Sequence, residues 1–261
     1  MGTAQHWVPA DQRADVQLPA GARAGDPARD DDDGHGPIAA STRVLLVDDH
    51  RSFSEALAAA IDQFPDLACV GTPTTIRDAV TEMAQSKPDV VLVDIHLPDG
   101  DGIDAIATLR DGQPAARFLV MTGYTDVDVL ARAATAGACG FLPKESSVRS
   151  ILEAIRTARD GGMLVDGSTL AAILGRVGTQ PGSARAKAVA ESRLTSRELD
   201  VLSLMRQGLD PHAIATRLTI SLHTCRGYQK SILAKLDAHS QLEAVVIGAR
   251  RGLVDRLDPQ S

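Results

Sequence analysis

Aromatic side chains are scarce, with Phe, Trp and Tyr making up 3% of the 261 residues. Aliphatic packing must carry any core, and the 44% of hydrophobic residues is enough to build one. Cysteine is sparse too: Cys69, Cys139 and Cys225 lie far apart in apolar surroundings. An odd, widely spaced set frames no disulfide scaffold and no metal site, so reduced, buried thiols of a cytoplasmic protein are expected. Long apolar runs are missing, since none approaches the roughly 18–20 residues of a membrane span. The first residues lack the apolar stretch of a secretory leader.

The net charge of −7 is unevenly spread. Residues 43–165 carry eleven basic against eighteen acidic side chains, whereas residues 191–261 carry ten against eight. An acidic module followed by a mildly basic one points to two different kinds of partner.

Residues 1–41 are rich in Ala, Gly, Pro, Asp and Arg, include an aspartate run at 30–33, and have no helical or strand period. They are expected to form a disordered acidic tail. From residue 42 to 165, strand and helix signals alternate. Strands are predicted at 44–47, 67–71, 90–94, 118–122 and 139–142. Helices are predicted at 54–64, 75–85, 103–111, 126–136 and 147–160. Five βα units imply an α/β fold, a doubly wound five-stranded parallel sheet with helices on both faces. Residues 166–192, with their Gly, Pro, Ser, Ala and Arg, are expected to be a linker. Residues 193–257 carry only helical signals. Thr195 and Glu198 mark a capping box, Asp210-Pro211 a second helix start, Ser221 a third, and Ser240 with Glu243 a fourth. That is a small all-α domain.

Chemistry in an open parallel sheet collects at the carboxyl ends of its strands. The stretch "VLLVDDH" delivers Asp48 and Asp49 there, "VVLVDIHLPDGDGI" delivers Asp94, "FLVMTG" delivers Thr122, and "GFLPK" delivers Lys144. Carboxylates brought this close repel one another unless a cation intervenes. Hard oxygen donors select Mg²⁺ over softer metals. With a lysine opposite the metal and a hydroxyl beside it, the set suits phosphoryl transfer onto a carboxylate. Asp94 is the natural acceptor, with Asp48 and Asp49 holding the metal.

These motifs, with "MTG" and "GACGFLPK", resemble the receiver domain of bacterial response regulators over residues 43 to about 165. The resemblance implies a flavodoxin-like strand order and a phosphoryl group passed to Asp94 from a histidine kinase. It implies Asp48, Asp49, Asp94 and the backbone carbonyl of His96 as ligands of Mg²⁺. It also implies Thr122 as switch hydroxyl, Phe141 as the aromatic that turns with it, and Lys144 as the phosphate-binding lysine. His96 and Tyr124, two residues after Asp94 and Thr122, occupy positions that tune the phosphoryl lifetime in such domains.

Residues 194–236, "LTSRELDVLSLMRQGLDPHAIATRLTISLHTCRGYQKSILAKL", have helix-turn-helix spacing. Such folds lay the second helix of the motif in the DNA major groove. Its candidate contacts are His223, Thr224, Arg226, Gly227 and Lys230, with Arg217 and Lys235 as candidate backbone contacts. The stretch, with "EAVVIGARRGLV", is similar to the LuxR-type DNA-binding domain of NarL/FixJ-type response regulators. The similarity implies double-stranded DNA as a partner and a homodimer paired through the apolar face of the last helix. The sequence departs from the family pattern at Asp210-Pro211-His212-Ala213, Cys225, Tyr228, Gln229 and Asp237. The expected function is therefore a cytoplasmic transcription factor, not an enzyme, switched by phosphate on Asp94. The alternative is a regulator that binds DNA independently of phosphate and keeps its receiver as a dimerisation or ligand module.

Overall fold

In the apolar run at 90–93 every side chain is sealed from solvent. Burying a valine or leucine this completely contributes about 1.5–3 kcal/mol, and the run is the central strand of a parallel sheet. The computed structural model describes residues 41–123, 126–177, 189 and 191–254. The acidic tail at 1–41, Tyr124, and residues 178–188 of the expected linker fall almost wholly outside them.

Strand β1 (Thr42–Val47) is followed by α1 (Arg51–Ile61), β2 (Leu67–Gly71), α2 (Ile76–Ser86) and β3 (Val90–Asp94). A two-rung antiparallel hairpin, β4 (His96–Leu97) and β5 (Gly100–Asp101), then leads into α3 (Gly102–Gly112). Next come β6 (Arg117–Thr122), α4 (Val127–Thr135), β7 (Gly140–Pro143) and α5 (Val148–Arg159). The five long strands pair in parallel in the order β2-β1-β3-β6-β7, the expected flavodoxin-like winding. One face packs Val91, Val93 and Phe118 with α2 and α3; the other packs Leu92, Leu119 and Met121 with α1 and α5. Cys139 and Cys225 are buried and Cys69 is half-buried, all as free thiols.

Local chemistry sets the helix starts. Thr75, Asp101, Asp126 and Ser147 each accept a hydrogen bond from the exposed N–H groups of the helix they cap. The first helix begins about a turn earlier than expected and stops before Phe64. Its start hangs on His50, whose carbonyl accepts from Phe53 and Ser54. Its end comes before Pro65, which disfavours helical backbone in the residue ahead of it.

The expected linker opens with a helix, α6 (Gly167–Val177). Asp166 precedes it and accepts from the Thr169 N–H at 2.9 Å. Burial pushes the Asp166 carboxyl up, but bonds from Ser168 and Thr169 outweigh it and bring the pKa down to about 2. Leu170, Ile173 and Leu174 bury against Leu130 and Ala134 of α4.

The C-terminal helices are α7 (Ser196–Arg206), α8 (Pro211–Leu218), α9 (Leu222–Leu236) and α10 (Gln241–Arg250). Their core is continuous with the α4–α6 cluster. Polar contacts stitch the same seam. Ser240 Oγ donates to the Ala138 carbonyl at 2.8 Å, Gln241 Nε2 to Gly161 at 2.6 Å, and Arg117 Nη1 to His239 at 2.6 Å. Helix α10 is consequently covered along both flanks. Leu242, Ala244, Val245, Val246 and Ala249 have no exposed surface, and even Gln241 and Glu243 are buried. The face expected to pair two copies is thus occupied within the chain.

Candidate functional site

The carboxyl ends of β1, β3 and β7 bring their charged residues into contact. Asp48 is fully buried and Asp94 is 4% exposed. Lys144 Nζ lies 2.9 Å from Asp48 Oδ2 and 2.7 Å from Asp94 Oδ2, bridging two strands. Burial alone would lower the Lys144 pKa. The hydrogen bond from its ammonium to Asp94 and the nearby charges of Asp48 and Asp94 outweigh that and hold it above the ordinary lysine value. Asp49 reaches toward solvent, and His50 Nδ1 sits 2.8 Å from its Oδ1 and 3.0 Å from Asp48 Oδ1. Ligand atoms of Asp48, Asp49, His50 and Asp94 all lie within 4.8 Å of one another.

The donor set fits a hard divalent cation. Three carboxylates converge on one point, and the single lysine neutralises only part of their charge. Asp48 Oδ2 has no solvent contact and no hydrogen bond of good geometry, despite its ion-pair distance to Lys144. The His50 side chain is 68% exposed and can swing away from the acids.

Thr122 ends β6 and is buried; its carbonyl accepts from the Lys144 N–H at 3.1 Å. Phe141 is half-buried and touches both the α2–α3 core and the core shared with the C-terminal helices. His96 lies on β4, paired with Asp101. Gly102 presses on the site from behind, because a Cβ there would fall 1.8 Å from the Asp94 carbonyl oxygen. Sequence reasoning missed that role, although the glycine stands in the quoted turn.

In the helical module, Asp210 caps α8 and Ser221 caps α9, as expected. Thr195 and Glu198 form the complete capping box. Ser240 caps α10, but the Glu243 carboxylate accepts from the His239 N–H at 2.7 Å rather than from Ser240. Of the candidate DNA contacts, His223, Thr224, Arg226, Gly227, Lys230 and Arg217 are exposed. Lys235 is exposed as well, but its ammonium is 2.7 and 2.8 Å from the two oxygens of buried Glu198. Ser231 and the Thr195 N–H bond the same carboxylate. Burial pushes the Glu198 pKa up, yet these partners outweigh it and set it at about 2. Lys235 is therefore an internal counter-ion that holds α9 to α7, and a phosphate would have to compete with Glu198 for it.

The response regulator receiver domain matches residues 44–156, and the luxR family of bacterial regulatory proteins matches residues 192–247. The DNA-binding transcriptional activator DevR/DosR of Mycobacterium tuberculosis is 30% identical over 78% of this chain and 92% of its own. The transcriptional regulatory protein LiaR of Bacillus subtilis is 30% identical over 82% of this chain and 99% of its own. A solved response regulator of a heme-sensing two-component system, ChrA, aligns with a TM-score of 0.42 at 26% identity, over 82% of this chain and 98% of that one. With a receiver fold in front, a LuxR-type module behind and relatives spanning both, the chain belongs to the LuxR-type two-component response regulators.

Proposed function

We propose that Asp94 takes a phosphoryl group from the phosphohistidine of a histidine kinase, and that this charge governs DNA binding by the C-terminal helices. The observation that carries the reading is the Lys144 ammonium held between Asp48 and Asp94 at the carboxyl edge of the sheet. An Asp94 carboxylate oxygen forms the new P–O bond as the donor's P–N bond breaks, and the imidazole nitrogen leaves with the electron pair. Lys144 already touches Asp94 and is placed to pair with a phosphoryl oxygen. Thr122 ends the neighbouring strand, and its hydroxyl would donate to another. Asp48, Asp49 and Asp94, with the His96 carbonyl, would hold Mg²⁺. When bound it neutralises charge on the acceptor and the phosphoryl oxygens. We read the role as that of a regulator rather than of a turnover enzyme.

Phe141 couples this edge to the seam, since it touches cores on both sides. Movement of Thr122 and Phe141 toward the phosphate would alter the packing under α4, α6 and α10 and free the helical module to pair with a second copy. Double-stranded DNA is the target, read by Arg226, His223, Thr224 and Lys230 around Gly227, with Arg217 on the backbone. No described helix is long and apolar enough to cross a membrane, and we place the protein in the cytoplasm with its kinase. Intact-mass measurement after incubation with a small phosphodonor and Mg²⁺ tests the reading. The wild type should gain one phosphoryl group and Asp94→Asn none. Equal gain in both, or in neither, defeats it.

A further inference from the structure

We infer that the pocket between α1, α2 and the loop after β2 binds a small organic cation, an amine or guanidine whose N–H groups reach Glu82 and Ser54. The site is separate from the phosphoacceptor edge and does not depend on the reading above. The pocket, of about 310 Å³, is at the small end of the range for small-molecule sites. Glu55, Asp78 and Glu82 set three acids around it against one base, Arg51, and Ser54 lies at its floor. Such a lining favours a compact, positively charged occupant over an apolar one.

Two polar atoms here are withdrawn from water with nothing in its place. Ser54 is 2% exposed, and its Oγ has no hydrogen-bond partner. A helical serine commonly turns back to the carbonyl four residues earlier. That carbonyl, on His50, already accepts from the Phe53 and Ser54 N–H groups. Glu82 Oε2 is sealed from solvent and also lacks a partner. Its carboxylate is folded against β2 over Gly71, where a Cβ would fall 1.8 Å from Oε2. Burial, and then the charge of Asp78, push the Glu82 carboxyl above its ordinary value. A carboxylate oxygen and a hydroxyl can both accept, so a cation rich in N–H groups is their complement.

A metal ion would need the acids to converge. Among the described residues, only the group at Asp48 brings its ligand atoms together closely enough. Glu55, Asp78 and Glu82 do not meet that way, which suits a cation that carries its donors on several atoms. The walls are fixed before anything arrives. The Pro73 carbonyl accepts from the Asp48 N–H at 3.2 Å, and Thr75 Oγ1 donates to Asp78 Oδ2 at 2.8 Å. Such preorganisation lowers the cost of binding.

Calorimetric titration of agmatine and of putrescine into the full chain, with saturating Mg²⁺ present, tests the assignment. Mg²⁺ keeps the amines from the carboxylates at Asp48, Asp49 and Asp94. At least one of the two should bind saturably, and uncharged butanediol should not. Glu82→Gln should weaken the binding on the order of tenfold, and Ser54→Ala severalfold. Asp94→Asn should bind as the wild type does. Thermal melts of the same samples separate loss of binding from loss of folding. Ser54→Ala should melt no lower than the wild type, because it deletes a buried acceptor that nothing satisfies. The proposal is overturned if neither amine binds saturably, or if Glu82→Gln binds as tightly as the wild type. It is overturned too if Asp94→Asn alone abolishes binding, since the amine then sits at the sheet edge.

Discussion

Two consecutive helices of one small module meet opposite fates. Helix α9 turns Arg226, Gly227 and Lys230 to solvent and buries only Cys225, Gln229, Ile232 and Leu236. Helix α10 buries eight of its ten residues, against α7 and α9 on one flank and α4 and α6 on the other. The helix proposed to read DNA is accessible in this arrangement, whereas the helix proposed to join two copies is not. A switch of the proposed kind would act by releasing α10 rather than by uncovering α9.

Leu242→Ala should break the comparison most strongly. Leu242 is fully buried in α10, and its truncation should cost about 3 kcal/mol through lost burial and a residual cavity. Chemical denaturation reads the loss, and it should appear at the seam and in the helical module together. Glu198→Gln comes next, at about 2 kcal/mol, because Lys235 keeps partial solvation when its carboxylate partner is gone. The same group predicts an acid limit. A carboxyl whose folded pKa of about 2 lies below its ordinary 4.5 contributes fully above pH 4.5. That contribution should fade as pH drops from there toward 2, and Glu198→Gln should flatten this part of a stability–pH curve.

Gly227→Ala should raise the unfolding temperature, with a gain of about 1 kcal/mol in helix propensity. Nothing lies within 4 Å of the Cβ it would add. A fall in DNA affinity in that variant would show that the glycine exists for close approach to a base or phosphate. The smallest stability effect belongs to Arg226→Ala, within about 0.5 kcal/mol. Its DNA affinity should nonetheless fall and depend less steeply on salt. Lys235→Ala should show the reverse, losing stability before it loses affinity.

The sheet edge was legible in the sequence because strands buried on both faces read as apolar runs, and the runs of β1, β3, β6 and β7 lead directly into the candidate residues. Asp48, Asp94, Thr122 and Lys144 needed no more than that rule and the strand order. Lys235 reads in the sequence as a phosphate contact because a lysine late in a recognition helix faces solvent, and the pattern gives no sign of its ion pair with Glu198. Its partner, Glu198, had been assigned to the cap of another helix, and the fold lets one carboxylate serve both. The helix Gly167–Val177 was read as linker because glycines flank and interrupt it; α4 supplies the packing that its propensity does not. The seam left no trace in the pattern. Ser240 and Gln241 bond main-chain carbonyls of Ala138 and Gly161, and a carbonyl acceptor has no sequence signature.

Strand β7 ends the sheet, and an uncovered final strand is an invitation to pair with another molecule. The chain closes that opening itself. Just past α5, Leu164 lies alongside Gly140, donating to the Cys139 carbonyl at 3.0 Å and accepting from the Phe141 N–H at 3.1 Å. Gly140 makes this possible, since a Cβ there would come within 2.3 Å of the Leu164 side chain. The segment that tethers the DNA-binding module is therefore also the hem of the receiver. A receiver cut off after α5 would bare the main chain of the strand that carries Phe141, and would tend to gather in clumps where the intact chain stays dispersed.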